Sequence, residues 1–504
     1  MKQITIDGKT LTANQQDTLL DTALNADIAI PNLCKSPASS LVTNTKQHCD
    51  LCHVELKSAD GQLCSVRACE TKIADLDAQN IEVITQSAAL SKQRKAALHT
   101  ILSDHFADCE APCQTACPAG VDVPSYLYHI AQGDHQEAVK VIKQTLPLPL
   151  SIGRVCPAFC ETECRRGLVD EPVAIRQLKR HAADLDLEGD APYVPPKKAA
   201  TNKKVAIIGS GPAGISAGYY LSNNGHEVTV FESMPQAGGW LRYGIPEYRL
   251  PKAILDKEIA LLCENGLDIQ TNIRLGRDIH LNGLLSGYDA VCLAIGAQKA
   301  VPMNYPGIEL DGCYLGVDYL RDYCTDKQYR TGKKVAVIGG GNTAIDCART
   351  AKRDGADVTL VYRRTRDEMP AEPYEIHEAE EEGIKFHFLT NPIENHSDDN
   401  GRVNQVTFEV MALGEADSSG RRSPKPTGET FIEAFDTVIP AVSQTPDMDF
   451  LNHPDSKLAT GEIALTRWNT FEGCEHTMSA GLAAGLDKLF VIGDSRTGPA
   501  TSVL

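Results

Sequence analysis

The chain has 504 residues, 42% of them hydrophobic and 23% charged, the make-up of a folded globular protein of about three domains. Its formal charge of −18, from 49 basic and 67 acidic residues, repels nucleic acid phosphates and anionic lipid, so nucleic acid is excluded as a partner. With no apolar run of about 18 residues and no apolar signal core behind Met1, membrane insertion and export are excluded too, and a cytoplasmic location is expected.

The first predicted element is a hairpin: Gln3 to Thr5 and Thr10 to Thr12 flank Asp7-Gly8, a pair that accepts the positive φ of a tight turn. Leu19, Leu20, Ala23 and Leu24 recur at helical spacing and predict a helix ending near Pro31, with Cys34 at the head of the following loop. A further helix over 91–104 leaves this domain. Residues 105–186 read as helices joined by Pro-containing loops such as Leu146 to Pro149, and the polar, Pro-rich stretch from Gly189 to Lys198 reads as a linker. From Lys204 the texture becomes strand, Gly turn, helix, strand, a doubly wound α/β region in which one βαβ unit occurs twice, at 204 and at 334. The expected division is 1–90, 91–188, a linker over 189–203, then 204–298, an inserted 299–440, and 441–504.

Cysteine is distributed unevenly. Eleven of the 17 lie within the first 164 residues, and the other six (Cys263, Cys292, Cys313, Cys324, Cys347 and Cys474) are scattered, as buried small hydrophobes are. In a reducing compartment, clustered cysteines more often hold metal or do redox chemistry than form disulfides.

The first βαβ unit carries Gly209-Ser210-Gly211-Pro212-Ala213-Gly214 between a strand and a helix, and Glu232 ends the next strand 18 residues after Gly214. This is the context a dinucleotide fingerprint needs. Gly209 permits the tight turn, Gly211 lets a pyrophosphate approach the backbone, Gly214 lets helix and strand pack, and Glu232 can accept from a ribose hydroxyl. The second unit reads Gly339-Gly340-Gly341-Asn342-Thr343-Ala344, a GxGxxA version. The 23-position step from Gly209 to Glu232 lands, from Gly339, on Tyr362, followed by Arg363 and Arg364. Guanidiniums there bind a 2′-phosphate that a carboxylate would repel, so NADP(H) is expected over NAD(H). Near the C-terminus the apolar strand Lys488 to Ile492 runs into Gly493-Asp494, with Gly498 to Thr501 beyond it. Asp494 suits a ribityl or pyrophosphate contact, and Thr501 would open a helix aimed at the same ligand, as Ala500 would line it. With the strand Ala290 to Leu293 leading into Gly296, this describes one nucleotide domain interrupted by another.

Residues 204–504 resemble the two-dinucleotide-binding flavoprotein of the glutamate synthase small subunit. That resemblance implies FAD in the first and third segments and NADPH in the inserted one. The stretch Gly238 to Pro251, with Gly239 and Arg242, is similar to the family's FAD-contacting loop, and Tyr362-Arg363-Arg364 to its NADPH phosphate loop. The family continues with a helical stretch beyond this motif, so an end at Leu504 implies a truncated chain or a short last helix.

Before this region stand Cys109-x3-Cys113-x3-Cys117-Pro118 and Cys156-x3-Cys160-x3-Cys164, close triplets of the kind that wrap iron–sulfur clusters. Their layout resembles the bis-[4Fe-4S] domain shared by the glutamate synthase small subunit and dihydropyrimidine dehydrogenase. Two cubanes need about eight ligands. His105, at His-x3-Cys109, is similar to a histidine ligand of complex I's large subunit and is the candidate seventh; the eighth has no candidate, and one or two [4Fe-4S] clusters stay open. Structural zinc is the competing reading, but two C-x2-C pairs are absent from this segment. Further upstream, Cys34, Cys49-x2-Cys52 and Cys69 follow an order similar to the [2Fe-2S] ferredoxin-like domain of complex I's large subunit and of formate dehydrogenase-associated chains, a likeness that leaves Cys64 spare and implies a β-grasp-like fold.

The expected architecture is thus a β-grasp-like ferredoxin domain, an all-α iron–sulfur domain and a Rossmann-like flavoprotein. The expected function is an oxidoreductase passing electrons between NADPH, FAD, the clusters and a catalytic partner subunit of synthase or dehydrogenase type, in either direction. A cofactor-bearing subunit with a silent NADPH site, and a stand-alone reductase of a small acceptor, are the alternatives. No catalytic side chain is expected: the sequence has no GxSxG elbow or HExxH, position 2 is lysine rather than a cysteine nucleophile, and the flavoprotein region has no C-x2-C disulfide motif.

Overall fold

A computed structural model describes residues 1–33, 49–76, 81–103, 110–325, 331–416, 422–454, 465–466, 470 and 488–501. The chain divides into two compact units, Met1–Cys109 and Glu110–Leu504.

The first unit is a five-stranded sheet in the order Lys9–Ala13, Lys2–Ile6, Ile81–Ile84, His53–Ser58, Leu63–Arg67. Lys2–Ile6 and Ile81–Ile84 run parallel and the other pairs antiparallel. The hairpin turns at Asp7 and Gly8, both at positive φ, as their sequence requires. The helix Leu19–Asn25 starts in a capping box between Thr18 and Asp21 and buries Leu19, Leu20 and Ala23 against Ile4, Ile6, Val54 and Val83. It ends six residues short of Pro31, because after Ala26 the chain turns at Asp27 with φ 58°. The helix Ala88–Ser103, assigned by the sequence to the second domain, makes its described contacts with the first: Arg94 donates to the carbonyls of Leu51 (3.1 Å) and His53 (2.7 Å), and Gln93 accepts from Ser65 (3.1 Å).

The second unit opens with helices Pro112–Thr115, Val123–Ala131, His135–Ile142, Pro149–Val155, Phe159–Thr162 and Ile175–Glu188. Leu146 to Pro149 is not wholly loop, since Pro149 begins a helix where its missing N–H costs nothing. The linker is pinned at both ends: Tyr193 N donates to Asp186 (3.1 Å), and Thr201 N to Gly225 O (2.9 Å).

Two parallel sheets follow. The first runs Leu489–Val491, Ala290–Leu293, Lys204–Ile208, Glu227–Phe231, Asp268–Gln270, so the C-terminal strand returns to a sheet begun some 280 residues earlier (489 − 204 = 285). The second runs Lys385–Phe388, Asp357–Tyr362, Lys334–Ile338, Thr437–Pro440. An antiparallel sheet of Thr390–Ser397, Val403–Ala416 and Arg422–Glu433 extends the inserted domain. The two crossings between the domains, Lys299–Ala300 and Gln444–Thr445, pair with each other.

The helical segment and the first α/β domain share one core, with Leu150 and Ile152 in the same buried cluster as Ile259 and Leu262. Fully buried Glu258 binds them together: it accepts from Leu150 N (2.7 Å), Ser151 N (3.0 Å) and Ser151 Oγ (2.5 Å), capping the helix Pro149–Val155 from the neighbouring domain. Glu258→Ala leaves those donors buried and unpaired and is expected to cost about 2–4 kcal/mol. Thermal unfolding of Glu258→Ala beside wild type checks this, and an unchanged midpoint would show that the capping carries no weight.

Candidate functional site

The first site is a cavity of about 740 Å³ in the second unit. One wall is Gly211, Pro212, Ala213 and Tyr220 of the helix Pro212–Asn223; a second is Gly493, Asp494, Ala500 and Thr501; a third, from the helical segment, is Pro118, Ala119, Val155 and Pro157. Gly209, at φ 103°, has the carbonyl of Ala294 where a Cβ would go, and a Cβ on Gly214 would fall on the carbonyl of Gly209. These glycines stand behind the wall and let turn and helix close on each other. Gly239, at φ 52°, packs against Gly211 in the same way.

Two predicted contacts are engaged elsewhere. Glu232 is buried with both oxygens occupied: Oε2 accepts from Ser210 N (2.9 Å) and Ser210 Oγ (2.5 Å), and Oε1 from Met234 N (2.8 Å) and Ser233 Oγ (3.2 Å). A ribose hydroxyl reaches this carboxylate only by displacing a serine hydroxyl. Arg242 lies outside the cavity lining and braces its own loop, donating to Ala237 O (2.5 Å) and pairing with Asp256. Lys252, unremarked in the sequence, does similar work: its buried ammonium donates to the carbonyls of Leu241 (3.1 Å), Ile245 (2.5 Å) and Leu250 (3.2 Å).

The cavity suits a flavin dinucleotide. Tyr220 Oη and Thr501 Oγ1 are buried in its wall without hydrogen-bond partners, donors of the kind that a polar ligand satisfies. Burial pushes the Asp494 carboxyl up to about 6, poising it to donate as well as accept. The helix that the sequence starts at Thr501 would run beyond the described residues; the described helix is Asp494–Thr497.

A second cavity, of about 730 Å³, lies on the inserted domain. Gly339, Gly341, Tyr362, Arg363 and Arg364 line it, with Asn391 and Met303. Gly339, at φ 146°, passes close to Ala441, and Ala344 is buried where the helix Asn342–Arg353 meets the strand. Arg364 Nε donates to Arg422 O (2.9 Å), which holds the side chain at the rim. Gly340, a free position in the motif, is dictated by its surroundings: a Cβ there would strike the ring of Tyr362, whose hydroxyl donates to Glu368 O (2.8 Å). The run of three glycines was the available signal. The two cavities meet at Thr343, Pro370, Gln444 and Pro499, which line both, and Gln444 Nε2 donates to Thr343 Oγ1 there (3.0 Å). Asn342 lines the first cavity and accepts from Glu372 N (2.9 Å).

A third, small cavity is lined by Cys117, Cys156 and Cys160 with Pro118 and Lys179, and Pro118 is shared with the flavin-sized cavity. The loop between Cys156 and Cys160 turns at Ala158, at φ 62°, whose N–H donates to Cys156 Sγ (3.4 Å). Burial pushes the Cys160 thiol up to about 12 against the pull of Lys179, so a bound metal would have to supply most of the charge that ionises it. Cys113 and Cys164 are half-buried near by; His105 and Cys109 lie outside the described residues. Among the described residues no three His, Cys, Asp or Glu side chains converge on one ion position.

In the first unit, Cys49 and buried Cys52 frame Asp50, at φ 54°, and Arg67 Nε fixes that turn through Asp50 (2.6 Å). Ala68 N donates to Cys52 O (3.1 Å), which brings Cys69 beside the C-x2-C turn, while Cys64 is exposed on the strand Leu63–Arg67. Cys34 lies outside the described residues.

Three family models match in series: the 2Fe-2S iron–sulfur cluster binding domain over 1–87, dihydropyrimidine dehydrogenase domain II with its 4Fe-4S cluster over 88–191, and pyridine nucleotide-disulphide oxidoreductase over 203–502. Among curated proteins, the NADPH-Fe(3+) oxidoreductase subunit beta of Geobacter sulfurreducens is 41% identical over 420 residues, 78% of this chain and 61% of that protein. The NADP(+)-dependent formate dehydrogenase subunit beta of Moorella thermoacetica is 42% identical over 70% of this chain and 53% of its own length. The Escherichia coli glutamate synthase [NADPH] small chain is 35% identical over 69% of this chain and 78% of its own. The chain therefore spans between half and two thirds of the length of the first two. Among solved structures, Mycobacterium tuberculosis FprA in complex with NADPH shares the fold of 60% of this chain and 81% of its own, at a TM-score of 0.51 and 21% identity. Among the described residues, no helix is long and apolar enough to cross a membrane.

Proposed function

The chain belongs to the pyridine nucleotide-disulphide oxidoreductase family, and we propose that it is an electron-transfer subunit that takes electrons from NADPH and delivers them through a flavin and iron–sulfur clusters to a catalytic partner. The observation that carries this reading is the continuity of the three cavities. The NADPH-type cavity meets the flavin-type cavity at Thr343, Pro370, Gln444 and Pro499, and the flavin-type cavity meets the thiol-lined one at Pro118.

When bound, FAD accepts a hydride from NADPH and gives up electrons singly to clusters. The protein's part is to place and select. Gly211 and Gly341, with Pro212, Ala213, Asn342 and Thr343, present helix N-termini to the two pyrophosphates; Arg363 and Arg364 take the 2′-phosphate; Asp494, Ala500 and Thr501 close on the flavin side. Cys117, Cys156 and Cys160 hold one cubane, Cys109, Cys113 and Cys164 with His105 serve another, and Cys34, Cys49, Cys52 and Cys69 hold a [2Fe-2S] cluster. In this reading the five-stranded sheet of the first unit is β-grasp-like, residues 91–188 form an all-α cluster domain, and 299–440 is the NADPH insertion. The relatives' own descriptions as subunits and chains support a synthase- or dehydrogenase-type partner.

The test is anaerobic mixing of the flavin-loaded chain, without partner, with NADPH and in parallel with NADH. Flavin bleaching by NADPH at a concentration where NADH is slow is the expected result. A flavin that stays oxidised would leave the NADPH site silent and overturn the proposal.

A further inference from the structure

In the wall of the flavin-type cavity and behind it lies a group of buried charges that the proposed electron route does not use. Arg249, in the wall of the flavin-type cavity, donates to Asp346 Oδ2 (2.6 Å) and to Glu375 Oε1. Both carboxylates are buried, at 3% and 1% exposure, and Asp346 lines the same cavity. One guanidinium thus faces two buried carboxylates, a count that leaves one negative charge in excess. Glu375 Oε2 is buried with no hydrogen-bond partner, where an ionised oxygen is costly and a protonated one is not.

The surroundings do not cancel the excess. Tyr248 approaches Asp346 Oδ1 (3.5 Å), and Tyr374 donates to Glu375 Oε1 (2.9 Å). Arg349, whose charge also pulls on both carboxylates, is paired with Glu378 (2.6 Å) and Glu382 (2.7 Å), the latter shared with Arg353 (2.6 Å), so these three arginines face four carboxylates. Lys252 is held by backbone carbonyls, Cys324 is a thiol, and Arg176 lies over the ring of Tyr374 at 4.6 Å while facing half-buried Glu372. Burial pushes both carboxyls upward against the pull of Arg249, Glu375 to about 7.

We propose that Asp346 and Glu375, bridged by Arg249, form a redox-linked proton site that takes one proton from water when the neighbouring flavin gains negative charge and returns it when that charge leaves. The inference rests on the flavin reading of the cavity. A hydride carries two electrons and one proton onto the flavin and leaves one unit of negative charge in the cavity. The pair's proton, drawn from water, balances that charge, and removal of the two electrons by one-electron acceptors sets both protons free. Electron delivery is thereby tied to the pH of the medium through residues outside the glycine motifs and the thiol-lined cavity.

The test is a spectroelectrochemical titration of the flavin in the full FAD-loaded chain on both sides of neutral pH, with mediators rather than NADPH. Wild type is expected to take up more protons per two electrons near neutrality than Glu375→Gln, in which any uptake beyond the first is that of the flavin itself. Tyr374→Phe, which removes a hydrogen bond favouring the ionised form, keeps the extra uptake but moves it to higher pH, and it serves if Glu375→Gln fails to fold. A one-proton slope in wild type, or an extra uptake untouched by both variants, overturns the proposal while leaving the NADPH route intact. Failure of NADPH to bleach a flavin that shows the extra uptake would sink the route alone, and a chain that binds no flavin would sink both.

Discussion

Replacing Arg363 and Arg364 together by alanine is expected to raise the KM for NADPH by one to two orders of magnitude and to leave the KM for NADH within about twofold. The magnitude follows from charge-assisted hydrogen bonds worth about 1.5–3 kcal/mol, with 1.4 kcal/mol for each factor of ten. The selectivity follows from position. Both arginines line the rim of the cavity on the inserted domain, just beyond Tyr362, and the step that puts Glu232 at this point in the first βαβ unit puts them here in the second. The two nucleotides differ only at the 2′-phosphate, so a loss confined to NADPH locates these side chains on it, and equal losses would mean that they shape the cavity generally. Steady-state reduction of a one-electron dye by each nucleotide provides the comparison.

The other large effect is expected from Cys156→Ser. Cys156 is buried on the thiol-lined cavity, and its neighbours Val155 and Pro157 are part of the wall of the flavin-type cavity. On the proposed ligand set, loss of that thiolate removes the cubane that Cys117, Cys156 and Cys160 would hold. Bleaching of the flavin by NADPH is expected to persist, because nothing on the nucleotide side has changed, whereas reduction of the remaining clusters by NADPH is expected to slow by several orders of magnitude. Rapid-mixing absorbance with electron paramagnetic resonance on the same samples checks both. Cys263→Ser, at an exposed thiol far from the clusters in sequence, is the control and should change neither signal. If Cys156→Ser leaves cluster reduction untouched, the electrons take a path that does not cross this wall.

The elements around the nucleotides were legible because their chemistry is local. A tight turn, a helix start and a close backbone approach are each written in a few consecutive residues, and Gly209, Gly211, Gly214, Gly339 and Gly341 fall where those features are. The hairpin at Asp7-Gly8 was legible for the same reason. What the sequence hid is contact between distant segments. Nothing near Pro118 or Val155 announces that they wall a cavity with Gly211 and Thr501. Arg249, Asp346 and Glu375 meet across gaps of 97 and 126 residues, and no local pattern marks a residue whose partner is chosen by the packing of two domains. Glu232 and Arg242 show the reverse limit: their motif positions are local, but Ser210 and Asp256 occupy the groups expected to reach the ligand. The helix Ala88–Ser103 was legible as a helix, whereas the bonds from Arg94 to the carbonyls of Leu51 and His53 were not.

The central claim is that three adjoining cavities form one electron route. Anaerobic titration of the flavin- and iron-loaded chain with NADPH, following flavin bleaching and the broad iron–sulfur absorbance together, tests it most directly. The route predicts that both absorbances fall and that more than two electrons enter each chain, since a flavin alone stores two. Bleaching of the flavin that stops at two electrons, with the iron–sulfur absorbance unchanged, would contradict it.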